Sequence, residues 1–257
     1  MLRNFLAALL RHPVRTARCL HPFGWAPRKE ISCQTGAESA PAVSPKLFFA
    51  LVGDSWLADM DDGIRHSLYA AQGDAIVRSV SVRGATSTEI SPHLLDARDG
   101  QIAYAKSNYP DRRLIVVIEG GINDAFGYHG PGPYVREFSR MVRISIECHA
   151  FPVVLTIPFF DRSRVSPNLP RDTMRMIHRM LSGDEIGDNA AIYNQLLRRT
   201  LDPYLESRQA ALIDLRALVP IETIKVRYVD QAHLSAVGFD ELGHAVGAQV
   251  AELAMSH

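Results

Sequence analysis

Leu47-Phe48-Phe49-Ala50-Leu51-Val52-Gly53-Asp54-Ser55-Trp56 is the stretch from which the fold is read. Six apolar residues follow one another without a break and stop at Gly53. A strand with one wet face would alternate apolar and polar side chains. An unbroken run instead fits a strand buried on both faces, as in a parallel sheet. Asp54 and Ser55 then fall on the turn that leaves the carboxyl end of this strand, where a helix would start.

Strand-like runs recur at Ala75 to Val82, Leu114 to Ile118, Val153 to Ile157 and Ala211 to Leu215. Helix-length stretches separate them: Trp56 to Ala71, Ser87 to Asn108, Tyr134 to His149 and Asn189 to Ser207, with Ala236 to Met255 closing the chain. Regular alternation of strand and helix predicts an α/β fold: a three-layer α/β/α sandwich, flavodoxin-like, around a doubly wound parallel five-stranded sheet. Ligands bind such sheets at the carboxyl ends of the strands. Any chemistry is therefore expected in the turns that follow the apolar runs.

The first 45 residues do not share this pattern. Residues 1–20 carry Arg3, Arg11, Arg15 and Arg18 and no acidic residue, around the short apolar patch Phe5 to Leu10. A targeting segment, a membrane-surface helix and a plain arm all fit that composition. His21 to Pro45 is rich in Pro, Ser, Ala and Gly and reads as a linker. The expected division is an arm over 1–45 and a catalytic domain over 46–257.

Bulk composition excludes some classes of function. Lys plus Arg and Asp plus Glu each number 28, for a formal net charge of +0. The chain therefore lacks the basic excess that marks nucleic-acid binding. No apolar run approaches the roughly 20 residues that span a bilayer. Cys19, Cys33 and Cys148 form an odd, scattered set without metal-finger spacing. They read as free thiols in a reducing compartment, hence a cytoplasmic location. His149, His178 and His244 lack partners at ligand spacing, so no metal is expected.

Four features lie where this fold would carry chemistry. Ser55, on a strand-to-helix turn, would sit among helix-start amides that can hold an anion. Gly84, after the second strand, can offer an unobstructed backbone N–H. Gly120-Gly121-Ile122-Asn123-Asp124 follows the third strand, and Asn Nδ2 is a suitable oxyanion donor. Before the last helix comes Asp230-Gln231-Ala232-His233, whose carboxylate and imidazole can share one side of a turn. Each also reads, by itself, as an ordinary cap, turn or chance pair. Together they supply a nucleophile, a base, an orienting carboxylate and oxyanion donors. G-x-S-x-G, S-x-x-K, H-E-x-x-H, Walker and G-x-G-x-x-G signatures are absent.

This set, in this order, resembles the SGNH (GDSL-type) hydrolase superfamily. Ser55 matches the Gly-Asp-Ser block, Gly84 the second block, Asn123 the Gly-Ile-Asn-Asp block, and His233 the final block, with Asp230 three residues ahead of it. Leu234 to Gly238 also looks like the family's histidine block. The resemblance covers Lys46 to the C-terminus, and Trp56 replaces the Leu or Ile more usual after Gly-Asp-Ser. It implies a serine esterase that uses no cofactor: Ser55 as nucleophile, His233 as base, Asp230 as orienter, and an oxyanion hole made by Ser55, Gly84 and Asn123.

Asp54, Trp56 and Asp124 are expected to border the substrate pocket, along with the loop Ala125 to Pro133. Asp161 to Asp188 stands outside the strand–helix alternation, as either a lid or a surface excursion. The expected partner is a small-molecule or carbohydrate ester with a short acyl group. Alternatives are an acyltransferase using the same acyl-enzyme, a non-catalytic carbohydrate- or ester-binding module, and a scaffold acting through its Arg-rich N-terminus.

Overall fold

The structure, a computed structural model, describes residues 30–33, 46–127, 130–159, 186–218, 228–229 and 232–257, without the side chains of 126–127 and 186–189. Five strands form one sheet: β1 (Leu47–Gly53), β2 (Ile76–Ser81), β3 (Arg113–Ile118), β4 (Ala150–Leu155) and β5 (Ala211–Ile213). All pairings are parallel, in the order β2-β1-β3-β4-β5. The predicted doubly wound sheet is therefore observed. Every residue of β1 and β4 is buried, whereas the edge strand β2 is mostly half-buried. Continuous apolar runs are the signature of strands covered on both faces.

Eight helices accompany the sheet among the described residues: α1 (Ser55–Ala71), α2 (Ser87–Leu95), α3 (Gln101–Asn108), α4 (Ile122–Gly127), α5 (Pro131–Glu147), α6 (Ile186–Glu206), α7 (Leu215–Leu218) and α8 (Ala236–Ser256). None is long and apolar enough to cross a membrane. Helices α1 and α8 pair on one face, and α2, α5 and α6 pack in sequence on the other. The chain leaves β1 for β2 on one side and returns to place β3 on the other side of β1. This makes the carboxyl ends of β1 and β3 the switch point, where such sheets open a crevice.

Three departures from the sequence reading have local causes. The single helix expected over 87–108 is two, α2 and α3. Asp96 ends the first, its Oδ1 accepting from Arg98 and Asp99 N–H at 2.9 and 3.1 Å. A Cβ at Gly100 would lie 2.5 Å from Asp96 O, so only glycine closes this corner. Strand β4 begins at Ala150 rather than Val153 and includes Pro152. The β5 pairing starts only at Val153, so proline forfeits no ladder bond on that side.

The third departure concerns the cysteines. Cys33 and Cys148 form a disulfide across 115 residues, which corrects the free-thiol reading for these two. Cys148 is the C-cap of α5, and nothing in its sequence spacing announces a partner 115 residues upstream. Residues 30–33 lie against the domain around this bond. Ile31 N–H donates to Leu95 O at 2.8 Å, and Glu30 pairs with Arg140 at 3.0 Å. Cys19 and the rest of the N-terminal arm lie outside the described residues, as does the stretch from Asp161 to residue 185, expected as either a lid or a surface excursion.

Candidate active site

β1 delivers its last residue, Gly53, to the switch point, and Asp54 and Ser55 follow. Asp54 is the N-cap of α1: its Oδ1 accepts from Trp56 N–H at 2.9 Å. Ser55 is the first helical residue and is 7% exposed. Its hydroxyl therefore belongs to the turn at which α1 presents unpaired amides and the positive end of its dipole.

The turn after β2 is stitched to this one. Val82 N–H donates to Gly53 O at 3.0 Å, and Ala85 N–H closes the turn onto Val82 O at 3.0 Å. Gly84 sits inside that turn at φ +75°, a conformation that favours glycine.

The turn after β3 completes the junction. Gly120 and Gly121 hold φ values of +143° and +100°. At Gly121 a Cβ would lie 2.3 Å from the Tyr134 ring. Asn123 follows on α4 and donates twice through Nδ2, to Asp54 Oδ2 and to Ala85 O, both at 3.0 Å. Because both partners are acceptors, the orientation of the amide is dictated by its neighbours. One side chain thus binds the Ser55 turn to the Gly84 turn. Asp124 accepts from Ser87 N–H and Oγ–H at 2.8 and 2.7 Å, fastening α4 to the start of α2.

His233 arrives from the far end of the chain. It precedes α8, whose N-cap Ser235 accepts from Gly238 N–H at 3.2 Å. Val229 N–H donates to His233 O at 2.9 Å, closing a small loop, and the imidazole is half-buried. The link to Ser55 runs through Trp56, whose indole N–H donates to Ala232 O at 2.9 Å. Residues adjoining Ser55 and His233 are therefore hydrogen-bonded to each other. Trp56 also stacks edge-on against Phe239 of α8. Asp230 lies outside the described residues.

The three residues expected to border the pocket are all buried: Asp54 at 0%, Trp56 at 0% and Asp124 at 2% exposure. Each turns its polar atoms to the scaffold, so they brace the turns rather than offer a wall to solvent.

Sequence reading overlooked Glu119, the residue that ends the β3 run. It is 2% exposed, and its Oε2 accepts from Asp54 N–H at 2.9 Å and from Leu57 N–H at 3.2 Å. The available signal was an acidic residue directly after a buried apolar strand and directly before Gly-Gly. Burial, and then the neighbouring Asp54 charge, push the Glu119 carboxyl well above the usual carboxylate range. Burial likewise raises Asp54, to about 6, against the lowering effect of its hydrogen bonds.

Solved structures share this architecture. A carbohydrate acetylesterase from Sinorhizobium meliloti, Est24, is 15% identical with a TM-score of 0.57, covering 81% of this chain and 100% of its own. The lipase/acylhydrolase from Enterococcus faecalis is 18% identical with a TM-score of 0.56, covering 80% of this chain and 96% of its own. This is the GDSL-type hydrolase fold. An aryl esterase from M. smegmatis shares it at 12% identity and a TM-score of 0.54, with 80% of this chain and 99% of that one covered. No protein-family model and no curated protein sequence matches the chain. In this fold Ser55 opens the helix after β1, Gly84 lies in the turn after β2, Asn123 lies on the short helix after β3, and His233 stands two residues before the N-cap of the last helix.

Proposed function

We propose that the protein hydrolyses carboxylic esters with short acyl groups, O-acetyl groups on carbohydrate among them, through an acyl-enzyme on Ser55. The observation that carries this reading is the Trp56–Ala232 hydrogen bond, which ties the residue after Ser55 to the residue before His233. Supporting it is the position of Ser55 at the amino end of α1 and at the switch point of the sheet.

In the proposed reaction, Ser55 Oγ attacks the ester carbonyl as His233 accepts the hydroxyl proton, with Asp230 holding the imidazole. The tetrahedral intermediate collapses, His233 gives the proton to the leaving alcohol, and the acyl group stays on Ser55. Water, deprotonated by His233, attacks the acyl carbon; the bond to Ser55 Oγ breaks, His233 returns the proton to that oxygen, and the acid leaves. Backbone N–H groups of Ser55 and Gly84 receive the oxyanion, joined by Asn123. Both Nδ2 hydrogens of Asn123 already have acceptors, so one bond must yield. A charged oxyanion is a stronger acceptor than the neutral Ala85 carbonyl and takes that hydrogen as charge develops. No step calls for a metal or organic cofactor.

A short acyl group accords with the similarity to a carbohydrate acetylesterase. The reducing, cytoplasmic setting inferred from unpaired cysteines loses its ground, because two of the three are joined.

Hydrolysis of p-nitrophenyl acetate, butyrate and octanoate by wild type and Ser55→Ala tests the proposal. Turnover should be greatest on acetate and absent in Ser55→Ala. A folded wild type inert toward all three esters and toward acetylated sugars would count against it.

A further inference from the structure

Beneath Ser55 two carboxyl groups share a buried site. Asp54 is 0% and Glu119 2% exposed, and the Asp54 backbone N–H donates to Glu119 Oε2 at 2.9 Å, which sets the two side chains side by side. Neither forms an ion pair among the described residues. Among the described residues, Asp124 on α4 and Tyr134 on α5 also face this cluster, and neither is a cation. Two carboxylates this close, away from water and with no ion pair to either among the described residues, do not both ionise. The pair therefore retains a proton.

Hydrogen bonding says which partner holds it. Asp54 receives Trp56 N–H on Oδ1 and Asn123 Nδ2–H on Oδ2, so both its oxygens act as acceptors. It also caps the positive end of α1, where a negative charge is favoured. Glu119 takes both of its backbone donors on one oxygen, Oε2, and the other oxygen remains to bear hydrogen. The close fit is built into the backbone: a Cβ at residue 53 would lie 2.5 Å from Glu119 Oε2. With Leu57 Cβ at 2.6 Å from the same position, Glu119 and Leu57 together leave room there only for the glycine of Gly-Asp-Ser.

We propose that Glu119 is a positioning residue that is protonated at neutral pH and donates that proton in a hydrogen bond to the Asp54 carboxylate, locking the Ser55 turn onto the end of β3. Asp54 then bonds to Glu119 on one side and Asn123 on the other, and the turns after β1 and β3 move as one body. The direction in which burial shifts both groups agrees. In its bearing on catalysis the proposal rests on Ser55 being the nucleophile; the protonation of Glu119 does not.

Infrared spectroscopy and conservative substitution test it together. The protonated carboxylic acid carbonyl band at neutral pH should be present in wild type and in Ser55→Ala and lost in Glu119→Gln. Glutamine is neutral, can accept from Asp54 and Leu57 N–H, and can donate to Asp54. Glu119→Gln should therefore keep kcat on p-nitrophenyl acetate within about tenfold of wild type, the worth of one hydrogen bond. Glu119→Ala should lower kcat about 100-fold, as for a misplaced nucleophile, with KM little changed. Asp54→Asn, which removes the accepting charge, should be worse than Glu119→Gln. An acid band that survives Glu119→Gln overturns the proposal. So does the reverse pattern, with Asp54→Asn tolerated and Glu119→Gln not. If the wild type hydrolyses no ester, the infrared difference still decides where the proton lies.

Discussion

Trp56 and Ala232 stand 176 residues apart in the chain, and the indole N–H of one donates to the carbonyl of the other at 2.9 Å. Trp56 immediately follows Ser55, and Ala232 immediately precedes His233. A fully buried side chain, packed edge-on against Phe239, thus sets how far the last loop lies from the start of α1. A Leu or Ile at this position could fill space but has no side-chain N–H to donate.

Trp56→Phe keeps an aromatic ring and removes the donor. Loss of the hydrogen bond and of core volume should lower stability by about 1–3 kcal/mol in denaturant titration. Ester turnover should fall by up to about 100-fold as the two halves of the site drift apart. A variant with wild-type turnover would show that this tie does not set the geometry of the site.

The packing of α1 on α8 is a second determinant of that geometry. A Cβ on Gly243 would lie 2.5 Å from Met60 O, and one on Gly63 2.7 Å from Asp240 O. These are backbone atoms that cannot swing aside. Gly243→Ala should force the helices apart and cost about 1–3 kcal/mol, the usual range for overpacking. Since α1 begins at Ser55 and α8 just after His233, kcat should fall as well. Thermal melts and kinetics of the purified variant measure both effects.

The Cys33–Cys148 bond closes a loop of 115 residues. Reduction, or Cys33→Ser, should lower stability by about 2–4 kcal/mol by freeing the unfolded chain. Peptide mapping without reductant should recover the peptides containing Cys33 and Cys148 joined. Turnover in the reduced, still folded protein should change little, because residues 30–33 contact the end of α2 and the α5 helix rather than the Ser55 turn.

The buried carboxyl pair also predicts how stability responds to pH. Glu119 is raised far above its unfolded value, so the folded state holds a proton that the unfolded state releases above about pH 4.3. Its stabilising contribution is complete below that pH and declines as pH rises toward the folded value. Glu119→Gln removes this dependence. Compared with wild type, the variant should gain up to about 1.4 kcal/mol per pH unit above about pH 4.3. Urea unfolding of both proteins from pH 4 to pH 8 should show the two stabilities converging or crossing in the variant's favour. Parallel curves would mean that Glu119 ionises alike in both states.

Local patterns carried the architecture. Unbroken apolar runs such as Leu47 to Val52, each stopped by a turn, specify doubly buried strands because no water-facing side chain interrupts them. Helix-length spacers between such runs leave little besides a parallel sheet. The order of the motifs followed from the same reading, since turns after strands share one edge of such a sheet. Tertiary structure alone decided the pairs that complete the site: Glu119 with Asp54, Trp56 with Ala232, Gly243 with Met60, and Cys33 with Cys148. These partners lie far apart in the chain, and neither periodicity nor turn chemistry encodes which distant backbone atom a side chain will reach. Glu119 makes the point most directly. An acidic residue after a strand can point into water or under a helix, and only the placement of the first turn of α1, whose Asp54 and Leu57 N–H groups meet Glu119, determines that it is buried there.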